Sequence, residues 1–406
     1  MVGQQLGGIH SKSLSARGWL AMNHKPSICF VSLNTYNVLS SRGDIPHTGG
    51  AEVQQARIAA WLVRRGYSVR FVTLDHGQSD GVEADGIRIF KAYAKDGGVR
   101  GLRFVHPRWS GLWAAMARAD ADVYYQRGAE CETGQVALWC RLHRRRFIFA
   151  TASDPDCDPS SDALGPWREK ILFRIGLRLA DAITAQTATQ QRLLRQKTGV
   201  EAALVRNCGE DLAEHSPRGQ VALGNSGPIR VLWVGRISRE KRFEWLLDVA
   251  EQCPDALFAV VGAPRGDSTG SSPLTERAVG IPNVEMHGRI PHAEMGRYYQ
   301  DSHVLCCTSA YEGFPNTFLE AWSLGIPVVS TFDPDGVIAA HGLGWVAQDV
   351  EGIVACLRRI AQSPQIWDKA SKAAREYYLA NHTPQVCLPA FERLLLRVAG
   401  CEASPA

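Results

Sequence analysis

Short apolar runs alternate with amphipathic segments from the beginning of the first clear pattern onwards. The run Ser27–Leu33 (SICFVSL) is apolar and is followed by polar turn residues, which predicts a buried strand. Apolar residues between Val53 and Val63 then recur at helical spacing, and Gly66 ends this predicted helix. Tyr67–Leu74 predicts the next strand. Such alternation is typical of βαβ units, which form a parallel sheet covered by helices on both faces.

The same alternation continues through both halves of the chain. Further strands of the first half are predicted at Val123–Tyr125, Phe147–Ala150 and Ala182–Ala185. After residue 228 the pattern restarts, with helices predicted from Phe243 to Cys253 and from Pro315 onwards. The strands predicted in this second half are Arg230–Val234, Leu257–Val261, Val284–His287, Val304–Cys307 and Pro327–Thr331. We therefore predict the α/β class, with two Rossmann-like, doubly wound parallel-sheet domains facing a cleft.

A change in composition separates the two halves. Asn207–Pro228 is rich in Gly, Pro, Ser and Asn and has little apolar periodicity, which predicts a linker over residues 208–228. We expect domains over residues 25–207 and 229–380, and a terminal amphipathic helix within residues 381–406. Residues 1–24 lack the long apolar stretch of a secretory signal and are predicted to be a disordered tail, with Met22 as an alternative start.

Composition narrows the class of protein. The 406 residues (44.5 kDa) suffice for two domains, and 45% hydrophobic with 21% charged residues excludes a disordered or fibrous chain. No run approaches the roughly 18 apolar residues that a membrane-spanning helix needs. Eleven cysteines without a Cys-x-x-Cys pair argue against a zinc ribbon or a thioredoxin-like site. They predict reduced core thiols in a cytoplasmic protein.

Charge is distributed unevenly. Residues 1–206 carry 28 Lys and Arg against 18 Asp and Glu, whereas the remainder carries 17 against 23. The cluster formed by Arg141, Arg144, Arg145 and Arg146 predicts peripheral contact with the anionic inner face of a membrane or with an anionic acceptor. A solvated basic face is the alternative. Nucleic acid is not an expected partner, because no recognised nucleic-acid motif is present.

A basic loop follows the strand VLWV. In Gly235–Lys241 (GRISREK), the glycine allows a sharp turn, and Arg236 and Lys241 can then converge on one anionic group at the next helix N-terminus. A diphosphate is the natural ligand for this arrangement. The alternative is a pair of ordinary surface cations, which are common after strands.

An acidic pair follows the strand VLCCTSA. In Glu312–Glu320 (EGFPNTFLE), a Gly and a Pro predict a tight loop that opens a helix, so that the amides near Asn316 and Thr317 face the cleft. Glu320, inside the helix, can accept two hydrogen bonds from a vicinal diol such as a ribose. Glu312, on the loop, can bind sugar hydroxyls or steady positive charge at a glycosyl carbon. A carboxylate that only stabilises the helix dipole is the alternative.

A third loop, His47–Glu52 (HTGGAE), lies between the first strand and its helix. The adjacent Gly49 and Gly50 permit close approach of the backbone to a phosphate or a sugar. By itself this signal is weak, because many loops in doubly wound folds carry glycine pairs.

Together these segments resemble those of the family 4 retaining glycosyltransferases of the GT-B fold. The matching pieces are Gly49–Glu52, Gly235–Lys241, Val284–Ile290 (VEMHGRI) and the E-x7-E signature Glu312–Glu320, and the similarity extends over most of residues 25–398. The resemblance implies transfer of a hexosyl unit from a UDP- or GDP-sugar to a hydroxyl of a glycan or lipid-linked glycan, as in surface or capsular polysaccharide synthesis. It also implies that no metal or other cofactor is needed.

The resemblance also implies roles for individual residues. The acceptor would bind the first domain and the nucleotide sugar the second, with the last helix crossing back to the first. Arg236, Lys241 and Glu312 would be the catalytic residues, the two cations holding the diphosphate, and Glu320 would bind the ribose. The other donor-binding residues implied are Gly49, Gly50, Gly235, Gly262, Arg289, Ile290, Gly313, Phe314, Asn316 and Thr317.

The chain departs from the family pattern in two places. Ser153, followed by Asp154, stands where many members carry a donor-contacting His, so both are candidate sugar contacts. A frequent Gly-Gly pair is replaced by Phe332–Gly336 (FDPDG). The aspartates near both places alternate with proline, which predicts exposed turns rather than a metal site. Two other functions stay open: a catalytically weak partner subunit of another transferase, and a phosphorylase or sucrose-synthase-like enzyme with a soluble sugar acceptor.

Overall fold

The computed structural model describes residues 25–40, 49–214, 223–224, 227–264 and 272–401. The expected tail over residues 1–24, His47 and Thr48 of the HTGGAE loop, and residues 215–222 and 225–226 of the expected linker lie outside the described residues. The described residues form two α/β domains, each built around one sheet. The predicted fold class is confirmed.

The first sheet has eight strands. They are β1 (Ile28–Val31), β2 (Val69–Asp75), β3 (Val82–Ala84), β4 (Ile87–Ala94), β5 (Val123–Arg127), β6 (Arg146–Ala150), β7 (Ala182–Ala185) and β8 (Ala203–Leu204). Their order is β3–β4–β2–β1–β5–β6–β7–β8, and every pairing is parallel except β3–β4. In the centre, Ile28 of β1 lies opposite both Val69 and Val123. All four residues of β1 are buried, because helices cover both faces of the sheet.

The helices that lie between these strands in the described part of the chain cover the sheet. They are α1 (Gly50–Arg64), α2 (Ser110–Ala119), α3 (Cys131–Leu142), α4 (Trp167–Leu179) and α5 (Ala188–Thr198), and a short helical turn, Tyr36–Leu39, follows β1. Residues of α2, α3, α4 and α5 share one apolar cluster, and α1 belongs to another. Helices α3 and α4 pack closely through Gly134 and Gly176. A Cβ at Gly134 would lie 2.3 Å from the Leu172 main-chain oxygen.

The second sheet has six parallel strands in the order β11–β10–β9–β12–β13–β14. They are β9 (Arg230–Val234), β10 (Leu257–Val261), β11 (Val284–Gly288), β12 (Val304–Cys307), β13 (Val328–Ser330) and β14 (Gly344–Val346). The helices that follow are α6 (Phe243–Gln252), α7 (Pro273–Val279), α8 (Met295–Gln300), α9 (Asn316–Ser323), α10 (Val337–His341), α11 (Val350–Gln362), α12 (Pro364–Asn381) and α13 (Pro384–Val398).

Helix α13 packs on the first domain. Its apolar side joins the cluster of β1 and α1, and the ring of Phe391 meets that of Tyr125 edge-on at 5.4 Å. Glu392 accepts a hydrogen bond from the Tyr67 hydroxyl at 2.8 Å and pairs with Arg65 at 2.7 Å. The chain therefore passes between the domains twice, after β8 and between α12 and α13.

The structure also contains elements that the pattern did not predict. Strands β3, β4, β8 and β14 were missed, as were helices α11 and α12. The start of the expected linker is not exposed, since Asn207 and Cys208 are both buried between the domains.

All eleven cysteines are unpaired thiols, and eight of them are buried. Within the described ranges, no helix is both long enough and apolar enough to span a bilayer.

Candidate functional site

The order of strands in the two sheets indicates where a ligand site lies. In the second sheet β9 lies between β10 and β12, and in the first β1 lies between β2 and β5. A crevice opens beyond the carboxyl ends of the strands where the order reverses, and ligands of open α/β sheets bind there. The loop Gly235–Lys241 follows β9, and the loop that contains Glu312 follows β12. These edges of the two domains touch, since the Asn316 amide donates to the Gly50 main-chain oxygen at 2.9 Å.

The loops after β9 and β12 bring Lys241 and Glu312 together. The Lys241 ammonium donates to Glu312 Oε1, which also accepts from the Ser309 hydroxyl at 2.6 Å. The Thr308 hydroxyl donates to the Lys241 main-chain oxygen at 2.6 Å, which joins the two loops a second time. Burial alone would lower the pKa of Lys241, but the Glu312 carboxylate outweighs burial and the pKa is raised. A charged lysine is therefore held at the edge of the sheet.

Arg236 lies on the same loop but is more exposed. About half of its side chain is open to solvent, and its guanidinium lies 3.7 Å from Glu240 Oε1. Between the two cations, the buried Ile237 fixes the loop by donating its amide to the Ala263 oxygen at 3.1 Å. The loop thus presents one partly buried cation and one exposed cation.

Glu320 is buried in α9, and a residue of the first domain lies beside it. The Tyr299 hydroxyl donates to its Oε2 at 2.7 Å, and Arg57 of α1 lies 3.8 Å from its Oε1. Burial, followed by the Glu320 carboxylate, raises the pKa of Tyr299, so the phenol stays protonated as a donor. Each carboxylate oxygen can accept further hydrogen bonds beyond these contacts.

The start of α9 lies against the start of α1. The Asn316 side chain donates to the Gly50 oxygen and accepts from Gln54 Nε2 at 3.0 Å. A Cβ at Gly50 would lie 3.0 Å from Asn316 Nδ2, so the glycine allows this approach. Gly49 is less constrained, because only the flexible Glu52 side chain would meet its Cβ. Thr317 is half-buried in the first turn of α9.

Gly313 and Phe314 contact the first domain directly. The Phe314 amide donates to Gln186 Oε1 at 3.1 Å, and its oxygen accepts from Asn207 Nδ2 at 2.9 Å. A Cβ at Gly313 would lie 2.4 Å from the Ala152 main-chain oxygen. The backbone expected to hold the transferred sugar is thus engaged across the domain interface, and the Phe314 amide meets a ligand only if its bond to Gln186 opens.

The turn after β10 brings three expected donor-binding segments together. A Cβ at Gly262 would lie 1.8 Å from the Gly235 main-chain oxygen, so only glycine fits between the ends of β9 and β10. The Gly262 amide donates to the Gly288 oxygen at 2.7 Å. Next to it, Arg289 is exposed and donates to the Pro264 oxygen at 2.9 Å, and Ile290 is half-buried.

The loop after β6 places Asp154 towards the same crevice. Gln190 Nε2 donates to Asp154 Oδ1 at 3.0 Å, and burial raises the pKa of Asp154, with Asp335 and Glu312 adding to the shift. Ser153 precedes a short helical turn, and both its amide and its hydroxyl contact Asp156. Ser153 therefore shapes the loop, and Asp154 faces the acidic groups of the second domain.

The segment Phe332–Gly336 contains a short helical turn in which Asp335 is exposed, and its two aspartates also accept hydrogen bonds from helix amides. Asp333 accepts from the Ile338 amide at 2.8 Å, which caps α10. Asp335 accepts from the Ala188 and Thr189 amides, both at 2.8 Å, and so caps α5 of the other domain. Among the described residues, no group of three His, Cys, Asp or Glu side chains is arranged to hold a metal ion.

Sequence reasoning missed four residues of this region: Arg57, Gln186, Asn207 and Tyr299. Gln186 and Asn207 are buried polar residues that bond to each other at 2.8 Å. The local signal for Gln186 was its position directly after the apolar strand β7. Asn207 follows the short strand β8, which the sequence pattern did not predict.

Two family models match the chain. The Glycosyl transferase 4-like domain matches residues 49–208, and the Glycosyl transferases group 1 model matches residues 228–363. Together they cover most of the chain and one domain each. The chain is a glycosyltransferase of the GT-B fold.

Curated relatives and solved structures agree with this assignment. The glycosyltransferase is 29% identical over 184 residues to the sulfoquinovosyl transferase SQD2 of Arabidopsis thaliana, covering 42% of this chain and 35% of the relative. It is 28% identical over 172 residues to the amylovoran biosynthesis glycosyltransferase AmsD of Erwinia amylovora, covering 41% and 48%. The aligned parts thus span less than half of these relatives.

Two solved structures illustrate the shared fold. Sucrose-phosphate synthase from Thermosynechococcus elongatus superimposes with a TM-score of 0.75 at 19% identity, over 93% of this chain and 100% of that one. HepE from Anabaena superimposes with a TM-score of 0.68 at 15% identity, over 93% and 100%. At these identities the likeness concerns the fold alone.

Proposed function

We propose that this glycosyltransferase moves a hexosyl unit from a UDP- or GDP-sugar to a hydroxyl of a glycan or lipid-linked glycan, with retention of the anomeric configuration. The observation that carries the proposal is the Lys241–Glu312 pair, because it lies where the loops after β9 and β12 meet and Arg236 stands beside it. A diphosphate in this crevice would meet two cations and the positive end of α9.

The cations act on the leaving group. When the bond between the anomeric carbon and the diphosphate breaks, negative charge develops on the diphosphate oxygens. Lys241 and Arg236 stabilise that charge where it forms, so the proposed reaction needs no metal cofactor. Glu312 holds Lys241 in place and presents its second oxygen to the hydroxyls of the transferred sugar.

The remaining contacts follow the shape of the crevice. Glu320 would bind the ribose, with Tyr299 orienting its carboxylate. Gly262 and the turn Arg289–Ile290 would line the base pocket, and Gly235 leaves room for the diphosphate beside it. The other donor contacts proposed are Gly49, Gly50, Gly313, Phe314, Asn316 and Thr317.

The first domain would complete the sugar pocket. Asp154 is the candidate there, because it lies within electrostatic reach of Glu312 and has a raised pKa. As a hydrogen-bond acceptor it suits a sugar hydroxyl. Ser153 would contribute through the loop that it stabilises.

The names of two similar proteins support the proposed donor and the proposed role. The HepE structure is a complex with UDP-glucose, and AmsD takes its name from amylovoran biosynthesis. These names support a nucleotide-sugar donor and a role in polysaccharide synthesis. The unpaired cysteines fit a reducing compartment, so we place the reaction in the cytoplasm.

The test is a screen of UDP-, GDP- and ADP-sugars with the full chain in EDTA, reading thermal stabilisation and slow donor hydrolysis. Lys241→Met should abolish stabilisation by the active donor and lower hydrolysis by about 10²–10³-fold. Lys197→Met is the matched control, because Lys197 also pairs with a carboxylate, Asp158, at 3.1 Å. The anomeric configuration of the product, read by NMR, tests retention.

Two outcomes would overturn the proposal. Equal turnover by Lys241→Met and wild type would show that Lys241 does not stabilise the leaving diphosphate, and would contradict the assigned site. Donor binding by wild type without hydrolysis or transfer to any acceptor would favour the partner-subunit alternative.

A further inference from the structure

Two neighbouring segments of the first domain expose large apolar side chains. In the segment after β4, Val99, Leu102 and Val105 are 69%, 66% and 63% exposed. At the start of α4, Trp167 is 75% exposed and Ile171, one turn later, is 44% exposed. The Arg168 guanidinium lies 4.8 Å from the centre of the Phe104 ring and so joins the two segments. We call this combined surface the 99–105/α4 surface.

The same surface is strongly basic. Residues 95–109 contain four Lys or Arg and one Asp, and α4 contains four Lys or Arg and one Glu. Along the outer face of α4, the exposed Trp167 and Ile171 are followed at helical spacing by the exposed Arg174 and Arg178. Among the described residues, neither of these two arginines forms an ion pair with a carboxylate. Their charge is therefore directed to solvent beside an apolar patch.

Apolar and aromatic side chains surrounded by arginines fit one kind of partner. The apolar groups can enter the boundary between lipid headgroups and acyl chains, where Trp is favoured, and the arginines can bind anionic headgroups. We propose that the 99–105/α4 surface docks this protein on a bilayer that contains anionic lipids.

The position of the surface agrees with such a partner. Both segments follow carboxyl ends of strands, β4 and β6, which lie at the same edge of the parallel sheet as the crevice. A bilayer on this surface would therefore lie beside the first-domain side of the cleft. The docking itself is independent of the proposed function. Only its consequence, that a lipid-linked acceptor would meet the cleft at the bilayer, rests on that function.

The arginine cluster singled out in the sequence is less suited to this role. Arg145 pairs with Asp120 and Asp122, and Arg146 pairs with Asp181 at 2.7 Å. This cluster lies between the end of α3 and the start of β6, at the edge of the sheet opposite the crevice. The charge of the 99–105/α4 surface is also partly neutralised, since Arg168 pairs with Glu169 at 3.8 Å and Lys170 pairs with Asp162 at 3.1 Å. The two basic regions therefore differ in position, because only the 99–105/α4 surface lies at the crevice edge of the sheet.

The experiment is flotation of the full chain with vesicles of phosphatidylcholine alone or with 30 mol% phosphatidylglycerol. Wild type should bind only the anionic vesicles and lose binding as salt is raised. A Leu102→Ser/Val105→Ser/Trp167→Ala variant should bind at least about tenfold more weakly. The matched control is Arg141→Gln/Leu142→Ser/Arg144→Gln, which also removes an exposed Leu, 67% exposed, from a basic cluster and should bind like wild type.

Each alternative result overturns the docking proposal. The proposal is wrong if wild type does not bind anionic vesicles. It is also wrong if the Leu102→Ser/Val105→Ser/Trp167→Ala variant binds them as strongly as wild type. Loss of binding in the control alone would transfer docking to the Arg141–Arg146 cluster. Donor hydrolysis in detergent-free buffer is measured in parallel. It should be the same in wild type and both variants, so a failure of docking is separated from a failure of the proposed function.

Discussion

The His382 imidazole donates from Nδ1 to the main-chain oxygen of Asn207 at 2.9 Å, and this bond joins the two points where the chain passes between the domains. The Gly209 amide adds a bond to the His382 oxygen at 2.8 Å. The His382 ring also packs on Phe314, with ring centres 4.7 Å apart. The interdomain crossing is therefore in contact with the loop that carries Glu312.

The buried His382 predicts a specific pH dependence of stability. Burial lowers its pKa to about 4, whereas its ordinary pKa is 6.5. The unfolded chain therefore takes up the proton first as the pH falls, and stability is lost between pH 6.5 and about 4. Wild type should lose about 2 kcal/mol of unfolding free energy from this group between pH 7 and 5.

His382→Asn keeps a donor towards Asn207 but cannot titrate, so its stability should fall less steeply over this range. Urea unfolding of wild type and His382→Asn at pH 5, 6 and 7 measures the slopes. Parallel curves for wild type and His382→Asn would contradict the prediction.

Gly313→Ala should impair catalysis without unfolding the protein. Its new Cβ would lie 2.4 Å from the Ala152 oxygen of the other domain, a main-chain atom that cannot move aside alone. The domains would therefore separate slightly, and we expect at least about a tenfold loss of kcat, since small displacements of catalytic groups are costly. Gly227→Ala, where the added Cβ meets nothing within 4 Å, should behave as wild type. Wild-type turnover by Gly313→Ala would mean that catalysis does not require this closed contact.

Asp335 and Asp333 form a matched pair for testing the contact between domains. Asp335→Asn weakens the cap on α5 across the interface, so we expect a higher KM for the donor with little change in the stability of either domain. Asp333→Asn weakens the cap on α10 within one domain, so we expect about 1 kcal/mol lower stability and an unchanged KM. Donor kinetics and urea unfolding of both variants measure this. The same change of KM in both variants would contradict the prediction that only the Asp335 contact between the domains affects donor binding.

Asp154→Asn should raise stability and reduce activity. The folded protein holds the Asp154 pKa above its ordinary value of 3.8, so stability falls as the pH rises from 3.8 to that raised pKa, and the full cost is present above it. Asn keeps an acceptor for Gln190 and removes the charge. The variant should therefore have a higher Tm than wild type at pH 7, and the difference should disappear as the pH approaches 4. Lower transfer by the variant at pH 7 would agree with a sugar contact. A variant with the same pH profile of Tm as wild type would contradict the inferred stability cost of the Asp154 carboxylate.

The central strands and the loops that follow them could be predicted from sequence because their signals are local. Buried strands such as Ile28–Val31 have continuous apolar runs, and both Lys241 and Glu312 follow such runs within a few residues. In a parallel sheet, residues that follow adjacent strands meet at one edge, so the order of motifs was enough to predict a shared crevice. The edge strand Val82–Ala84 and its neighbour Ile87–Ala94 carry mixed polar and apolar residues, and their pairing depends on a neighbour that the local pattern does not specify.

The sequence by itself determined the fold class, the two-domain organisation and the loops that border the crevice. Only the tertiary structure decided which polar groups join the domains. Gln186 meets Phe314, and Asp335 meets Ala188, over separations of more than 120 residues. An amide or a carboxylate has the same local pattern whether water or a distant main-chain group satisfies it. Its partner is chosen by packing of the whole chain, because a buried polar group must find a hydrogen bond wherever the fold provides one.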